Sequence, residues 1–160
     1  MEETKNNVKT EERGLIVSDA TVFNEAESFQ FTTLDLTDVE NKKTLYNALQ
    51  QCDVKLNDIK GQTIEVCNIF IEKKDVAERD EKTDEVILDE NGEVVTKKHF
   101  RTILIDTEGK TYVTAAYGVF NSLKQIVAIF GNPTPDNVLT LKVGTKALKS
   151  GKESLILTVE

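Results

Sequence analysis

Apolar and polar residues alternate over several short segments in the second half of the chain, the pattern typical of β-strands. Residues 62–71 are rich in Ile, Val and Phe and predict a long first strand. A hairpin with its turn at Glu108-Gly109 follows, and two further strands complete the series. The four strands predicted after the first are residues 100–105, 111–117, 138–143 and 154–159.

One helix interrupts this series of strands. Apolar residues recur from Val119 to Phe130 at the spacing of one continuous helical face. Gly131 then ends the helix, and Pro133 prevents its continuation. The helix lies between the third and fourth strands, which is the order of an OB-fold, a five-stranded barrel. The sequence thus predicts a mainly-β chain with an OB-fold over residues 61–160, although a β-sandwich or an α+β sheet would give similar local patterns.

The first 60 residues predict an arm and a small extension. Residues 1–14 are polar and lack hydrophobic periodicity, so they predict a disordered arm. Residues 15–60 predict a strand-helix extension, with a strand that begins at Phe29 and a helix over about residues 38–52. Thr37 and Glu40 have the spacing of a capping box at the start of this helix.

An acidic hairpin is predicted as an insertion in the OB-fold, at about residues 76–98. Its turn is placed at Asn91-Gly92, because this pair tolerates the positive φ values of a tight two-residue turn. A segment with this much negative charge cannot lie along a phosphate backbone. Charged residues at a sheet edge also discourage aggregation, which is the simpler explanation of these acidic side chains.

Composition excludes several classes of protein. The chain has one histidine, His99, and two cysteines, which predicts neither a histidine-built metal site nor a disulfide scaffold. It also lacks the glycine motifs of nucleotide-binding loops, so we expect no enzyme, metal or cofactor. No apolar run approaches the roughly 20 residues that span a bilayer, and the polar N-terminus lacks the apolar stretch of a secretory signal. These features predict a cytoplasmic protein.

Charge is distributed unevenly along the chain. The formal net charge is −8, but residues 1–95 have 11 basic and 23 acidic side chains, whereas residues 96–160 have 9 basic and 5 acidic ones. Local potential near a groove matters more for binding an anion than the total charge does. An anionic partner is therefore expected on the C-terminal part of the chain.

Two aromatic residues are candidates for stacking on nucleic-acid bases. If the turn at Glu108-Gly109 contains two residues, Ile105 lies opposite Tyr112. Tyr112 then shares an outward face of the sheet with Arg101. An aromatic ring and a guanidinium on one sheet surface can stack a base and hold a phosphate. Phe70 is the second candidate, because alternation places its side chain on the face opposite to its two isoleucine neighbours. Both aromatic residues fit an ordinary core position as well.

Lysines are expected to hold the phosphates of a bound strand. The connection between the last two strands flanks the ligand groove in an OB-fold. Lysines beside its glycines suit a mobile loop that closes over a phosphate backbone, although a solvated hairpin tip has the same composition. The lysines in and around this connection are Lys142, Lys146, Lys149 and Lys152, and the groove is extended by Lys73, Lys74, Lys98 and Arg101.

Residues 61–66 (Gly-Gln-Thr-Ile-Glu-Val), residues 112–124 and the lysine-bearing hairpin resemble the single-stranded DNA-binding proteins encoded by bacteriophages of Gram-positive hosts. The resemblance covers about residues 60–160. It implies an OB-fold that coats single-stranded DNA during phage replication or recombination, without catalysis or cofactor. It also implies binding through Tyr112, Phe70 and the groove lysines.

Two other functions stay open at this point. The barrel and the acidic hairpin fit a protein-interaction or virion assembly module. The acidic first 95 residues also fit a DNA mimic that inhibits a nucleic-acid enzyme. Binding of single-stranded DNA separates the first function from these two.

Overall fold

The computed structural model describes residues 28–160 and, as backbone only, the short strand Ile16–Val17. The predicted disordered arm, residues 1–14, lies outside the described residues. The described chain contains two α-helices, α1 (Val39–Gln50) and α2 (Tyr117–Phe130), and one 3-10 helix (Leu56–Ile59). Its strands are β1 (Ile16–Val17), β2 (Phe29–Thr32), β3 (Val54–Lys55), β4 (Thr63–Ala77), β5 (Thr96–Asp106), β6 (Thr111–Thr114), β7 (Leu139–Ala147) and β8 (Glu153–Val159).

The strands form one curled sheet with β4 at its centre. β5 pairs with one edge of β4, while β7 and then β2 pair with the other edge. β6 continues the sheet beyond β5, and β8 continues it beyond β7, so that the order β6-β5-β4-β7-β8 is antiparallel throughout. α2 connects β6 to β7 and packs against β8. The mainly-β prediction is confirmed, and the five main strands and α2 follow the predicted order.

The concave face of the sheet encloses the main hydrophobic core. The apolar face of α2 packs into this core with its five buried residues, as the periodicity of the sequence predicts. Gly118 allows the first turn of α2 to approach β8 closely, because a Cβ at this position would collide with the carbonyl oxygen of Leu155. The sheet contributes core residues that include Ile64, Val66, Ile69, Ile71, Leu104, Tyr112, Leu139, Leu141, Leu155 and Leu157.

A second, smaller core lies on the opposite face of the sheet, under α1. Phe70, Ile103 and Ile105 pack there against α1 and the segment that precedes it. The N-cap of α1 is Asp38, whose carboxylate accepts a hydrogen bond from the N–H of Glu40 at 2.8 Å. Thr37, the predicted cap, instead donates its hydroxyl to Asp35. The prediction of a capping box was wrong, because an aspartate one residue later caps the helix.

The β5–β6 turn has three residues rather than two. The N–H of Asp106 donates to the carbonyl of Lys110 at 3.0 Å, and the Asp106 carboxylate accepts from the N–H groups of Glu108 and Lys110, each at 2.9 Å. Gly109 has a φ of 84°, the left-handed conformation that such a turn requires. The extra turn residue pairs Leu104, not Ile105, with Tyr112. The predicted register was therefore wrong by one residue.

The acidic segment between β4 and β5 is not a regular hairpin. It contains only isolated bridges among its described residues, Arg79 with Val86 and Leu88 with Val94. The turn at Asp89 repeats the arrangement at Asp106, with the N–H of Asp89 bonded to the carbonyl of Glu93 at 2.8 Å. Only Gly92 of the predicted Asn91-Gly92 pair has a positive φ, so the expected two-residue turn is absent here.

No helix in the described part of the chain is long and apolar enough to cross a membrane.

Candidate nucleic-acid interface

Phe70 is not available to a ligand. Its side chain is fully buried in the second core. Sequence alternation correctly separates Phe70 from Ile69 and Ile71, which face the main core. The predicted exposure of Phe70 was wrong, because α1 covers this face of β4.

Tyr112 is likewise buried, at 9% exposure, and its ring packs in the main core. Its hydroxyl donates to Oδ2 of Asp106 at 2.8 Å. Burial, together with this hydrogen bond and the negative charge of Asp106, raises the pKa of Tyr112 to about 12. The predicted outward position beside Arg101 was wrong, since the shifted register turns Tyr112 to the other face of the sheet.

Tyr112 makes stability depend on pH in the alkaline range. The unfolded chain releases this proton near pH 10 and the folded chain near pH 12, so the stabilisation is intact below pH 10 and falls as the pH rises through the folded pKa. In a spectrophotometric titration of tyrosinate, Tyr112→Phe is expected to remove a late-titrating signal. Loss of a signal at the ordinary pH of tyrosine would contradict the buried position.

The four basic residues predicted on β4 and β5 differ in accessibility. Lys73 is 1% exposed and its Nζ lies 3.3 Å from Oδ1 of Asp75, so the exposed position predicted for it in the groove was wrong. Lys73 shares the core-facing side of β4 with Ile69 and Ile71, and its neighbours on the paired strands are Phe29 and Phe100, both of which pack in the main core. Lys74 and Lys98 are exposed, and their role in binding DNA stays a prediction.

Arg101 is partly exposed and fixes α1 to the sheet. One guanidinium nitrogen donates to Oε1 of Glu72 at 3.0 Å, and another donates to the carbonyl of Leu49, near the end of α1, at 3.3 Å. Glu72 is buried and also accepts a 2.6 Å hydrogen bond from the side chain of Gln30. The Nε of Arg101 is buried without a hydrogen-bond partner.

An open cleft of about 390 Å³ lies beside Arg101, on the outer face of β5 and β6. The 3-10 helix and β3, which runs parallel to β6, form its other wall. The cleft is lined by Lys55, Asn57, His99, Arg101, Val113, Thr114 and Ala115. Sequence reasoning placed Arg101 near a groove but missed Lys55, because a two-residue strand gives no periodic signal.

Tyr117 is an exposed aromatic residue that the sequence analysis did not select as a contact for DNA. It begins α2 and is 48% exposed. Its ring meets Phe100 edge-on at a centroid distance of 5.3 Å and lies 6.0 Å from Phe120. Strand alternation assigns Tyr117 to the core, but β6 ends at Thr114 and the turn into α2 moves the ring outward. Tyr117 and Phe120 are three positions apart, the spacing of neighbours on one face of a helix. This spacing in the sequence indicates that Tyr117 belongs to α2.

The lysines of the β7–β8 hairpin lie close to α2 in the fold. Lys146 pairs with Ser154, and Gly118 packs against Ser154 and Leu155. The tip end of the hairpin therefore adjoins the start of α2, where Tyr117 lies. Four exposed lysines are carried by β7 and the hairpin tip, namely Lys142, Lys146, Lys149 and Lys152.

The acidic segment does not neutralise these lysines within one molecule. The three ion pairs found among the described residues are Lys43–Glu40, Lys73–Asp75 and Arg101–Glu72, and none joins the two surfaces. The pairings of β4 place the hairpin beyond its Thr63 end and the acidic segment beyond its Ala77 end.

The two cysteine thiols offer no activated nucleophile. Burial raises the pKa of both Cys52 and Cys67 above the ordinary value of a thiol. Each Sγ donates to a backbone carbonyl, that of Ala48 and that of Asp106, at 3.3 Å. Both therefore stay protonated near neutral pH and pack as small half-buried residues.

A family model described as phage single-stranded DNA-binding protein matches residues 24–160 of the chain. No curated protein and no solved structure matches this chain. The family match begins before β2 and includes α1, so it reaches further toward the N-terminus than the resemblance found in the sequence.

Proposed function

Because the chain belongs to the phage single-stranded DNA-binding protein family, we propose that it binds and protects single-stranded DNA during phage replication or recombination. The match over residues 24–160 is the observation that carries this proposal. The protein acts by binding, without catalysis and without a cofactor. The order of the five main strands and the position of α2 support an OB-fold, a fold that binds oligonucleotides on the face of its second and third strands.

We assign the main contact with DNA to the Tyr117 surface, which consists of Tyr117, Lys98, Lys146, Lys149 and Lys152. Tyr117 is held by packing against Phe100, and Lys98 lies two residues from Phe100 on the same face of β5. A half-exposed ring that is already fixed can stack on any base, because every base has a π-face. Lysines around it neutralise phosphates without reading sequence. The surface therefore suits sequence-tolerant binding.

Fluorescence anisotropy with a labelled oligo-dT tests this assignment, with duplex DNA as the competing ligand. Tyr117→Ala is expected to weaken binding of the single strand by about 1–3 kcal/mol, roughly 5- to 150-fold, because one stacking contact is lost. Tyr117→Phe retains the ring and is expected to bind nearly as well as the unmodified protein. A thermal melt of each variant separates loss of binding from loss of folding.

Tyr46 supplies the matched control. It is 63% exposed on α1, outside the Tyr117 surface, so Tyr46→Ala removes an exposed tyrosine without touching the proposed contact. Equal losses for the Tyr46 and Tyr117 variants would refute the assignment of stacking to Tyr117. If the unmodified protein fails to bind oligo-dT even at low salt, the proposed function itself is wrong, and a protein-interaction module becomes the leading interpretation.

A further inference from the structure

The acidic segment between β4 and β5 presents apolar side chains as well as negative charge. Residues 78–93 contain eight acidic and two basic side chains. Leu88 and Val94 form a bridge between the two halves of the segment, and both are half-exposed. Because bridge partners point to the same face of a ribbon, these two side chains form one apolar spot inside an acidic rim. A small apolar centre with a polar rim is the usual arrangement of a protein contact.

The tip of the β7–β8 hairpin has the same arrangement with the opposite charge. Residues 142–152 contain four lysines and no acidic side chain. Leu148 lies at the turn, where its N–H donates to the carbonyl of Lys152 at 2.8 Å, and its side chain is half-exposed. Exposed lysines surround it in the sequence, at Lys146, Lys149 and Lys152. The hairpin tip and the acidic segment are therefore complementary in charge, and each has an apolar centre.

Backbone pairing gives the acidic segment a defined shape. The N–H of Glu78 donates to the carbonyl of Val95 at 2.8 Å, and the N–H of Ile87 donates to the carbonyl of Glu78 at 2.9 Å. The segment thus continues the β4–β5 ribbon beyond Ala77. Among residues 28–160, no ion pair joins it to the hairpin of the same molecule. A ribbon that is already formed loses little conformational entropy when it binds another molecule.

We propose that the acidic segment of one molecule docks on the β7–β8 hairpin tip of a second copy of this chain. Opposite charges steer and align the contact, and Leu88 and Val94 pack against Leu148 of the second copy. Each pair retains one unused segment and one unused hairpin, so association continues from dimers to longer chains or rings. The small apolar area makes the contact transient and sensitive to salt.

This inference goes beyond the proposed function and meets it only at the hairpin. Lys146, Lys149 and Lys152 belong to the Tyr117 surface, to which we assign the DNA. A phosphate backbone and the acidic segment of another copy therefore compete for the same lysines. Bound single-stranded DNA is expected to separate the copies. Only this competition rests on the proposed function, whereas the contact between copies does not need DNA.

Sedimentation velocity of the full chain measures the contact. At low salt the average mass is expected to rise with protein concentration above the 17.9 kDa of the monomer. It is expected to return to the monomer as salt shortens the Debye length from about 30 Å at 0.01 M to about 8 Å at 0.15 M. Excess oligo-dT at low salt is expected to have the same effect. Leu88→Ser is expected to weaken association about fivefold, whereas Ile129→Ser, which changes an exposed apolar residue of α2, leaves it unchanged.

Charge reversal identifies the two surfaces. The segment variant combines Glu85→Lys, Glu90→Lys and Glu93→Lys, and the hairpin variant combines Lys146→Glu, Lys149→Glu and Lys152→Glu, all at exposed positions. Each variant alone is expected to be a monomer, and an equal mixture is expected to associate, because every segment then meets a hairpin of opposite charge. Repulsion by total charge predicts the reverse for the segment variant, since three reversals of two charges each bring its net charge from −8 to −2.

The outcomes separate this proposal from the proposed function. A monomer at low salt at every concentration overturns the proposal, as does association that either reversal variant retains alone or that the mixture fails to recover. If oligo-dT binds by anisotropy but leaves the copies associated, the shared use of the hairpin lysines is wrong. If oligo-dT does not bind at all, the proposed function fails, whereas recovery on mixing still supports the contact between copies.

Discussion

Replacing Phe70 with alanine is expected to lower the free energy of unfolding by about 3–5 kcal/mol. The side chain is fully buried between the sheet and α1, where it contacts the second core, and truncation leaves a cavity that the rigid β4–β5 ladder cannot close. Urea denaturation measures the change. The folded fraction of the variant is expected to bind oligo-dT with unchanged affinity, since no part of Phe70 reaches the surface.

Lys74→Ala is the matched control for this experiment. Lys74 lies on the same face of β4 but is exposed, so its truncation is expected to change stability by less than about 0.5 kcal/mol. A Phe70→Ala variant that keeps its stability and loses its affinity for DNA would contradict the structure. That result would instead support the stacking role that the sequence predicts for Phe70.

Phe70 shows what alternation along a strand predicts, namely the face on which a side chain lies, and what it does not predict, namely whether that face is exposed. The pattern around Ile69 and Ile71 correctly assigns Phe70 to the other face of β4. It contains no information about what covers that face, because the covering helix comes from a distant part of the chain. Lys73 lies instead on the core-facing side with Ile69 and Ile71, where Phe29 of β2 and Phe100 of β5 are its neighbours on the paired strands. Accessibility of a strand residue depends on such long-range pairing.

The predicted register of the β5–β6 hairpin was wrong because of a local turn pattern that is visible in the sequence. Asp106 precedes Gly109 by three residues, and the same spacing occurs at Asp89 and Gly92. In both places the aspartate carboxylate accepts N–H groups of the turn, and the glycine adopts the positive φ of a three-residue loop. An aspartate three residues before a glycine therefore favours this turn here over a two-residue turn. Recognising it would have placed Tyr112 in the core.

The candidate site, too, could be predicted only in part from the sequence. Periodicity is sufficient to locate α2 and the lysine-rich hairpin, and the family resemblance is sufficient to suggest DNA as a ligand. The association of Tyr117 with the hairpin depends on Gly118, whose missing Cβ lets α2 approach β8. The cleft likewise depends on the parallel pairing of β3 with β6, a contact between residues more than 50 positions apart. Neither contact leaves a periodic pattern in the sequence.

Replacing Lys146, Lys149 and Lys152 together with glutamine is expected to reduce the salt dependence of oligo-dT binding. Each lysine–phosphate contact to single-stranded DNA contributes about 0.7 to the slope of log affinity against log salt concentration. Loss of three contacts therefore lowers the slope by about 2, and affinity at low salt falls by roughly two orders of magnitude or more. Anisotropy titrations at several salt concentrations measure both quantities.

A charge-matched variant distinguishes specific contacts from a general change in charge. Lys42, Lys43 and Lys124 are exposed on the two α-helices and do not belong to the Tyr117 surface, and their replacement by glutamine changes the net charge by the same amount. This control is expected to keep most of the slope, because counterions are released only where lysines contact phosphates. If both triple variants lose the same slope, long-range attraction rather than the hairpin accounts for binding. If the hairpin variant keeps the full slope, the DNA contacts another face of the protein.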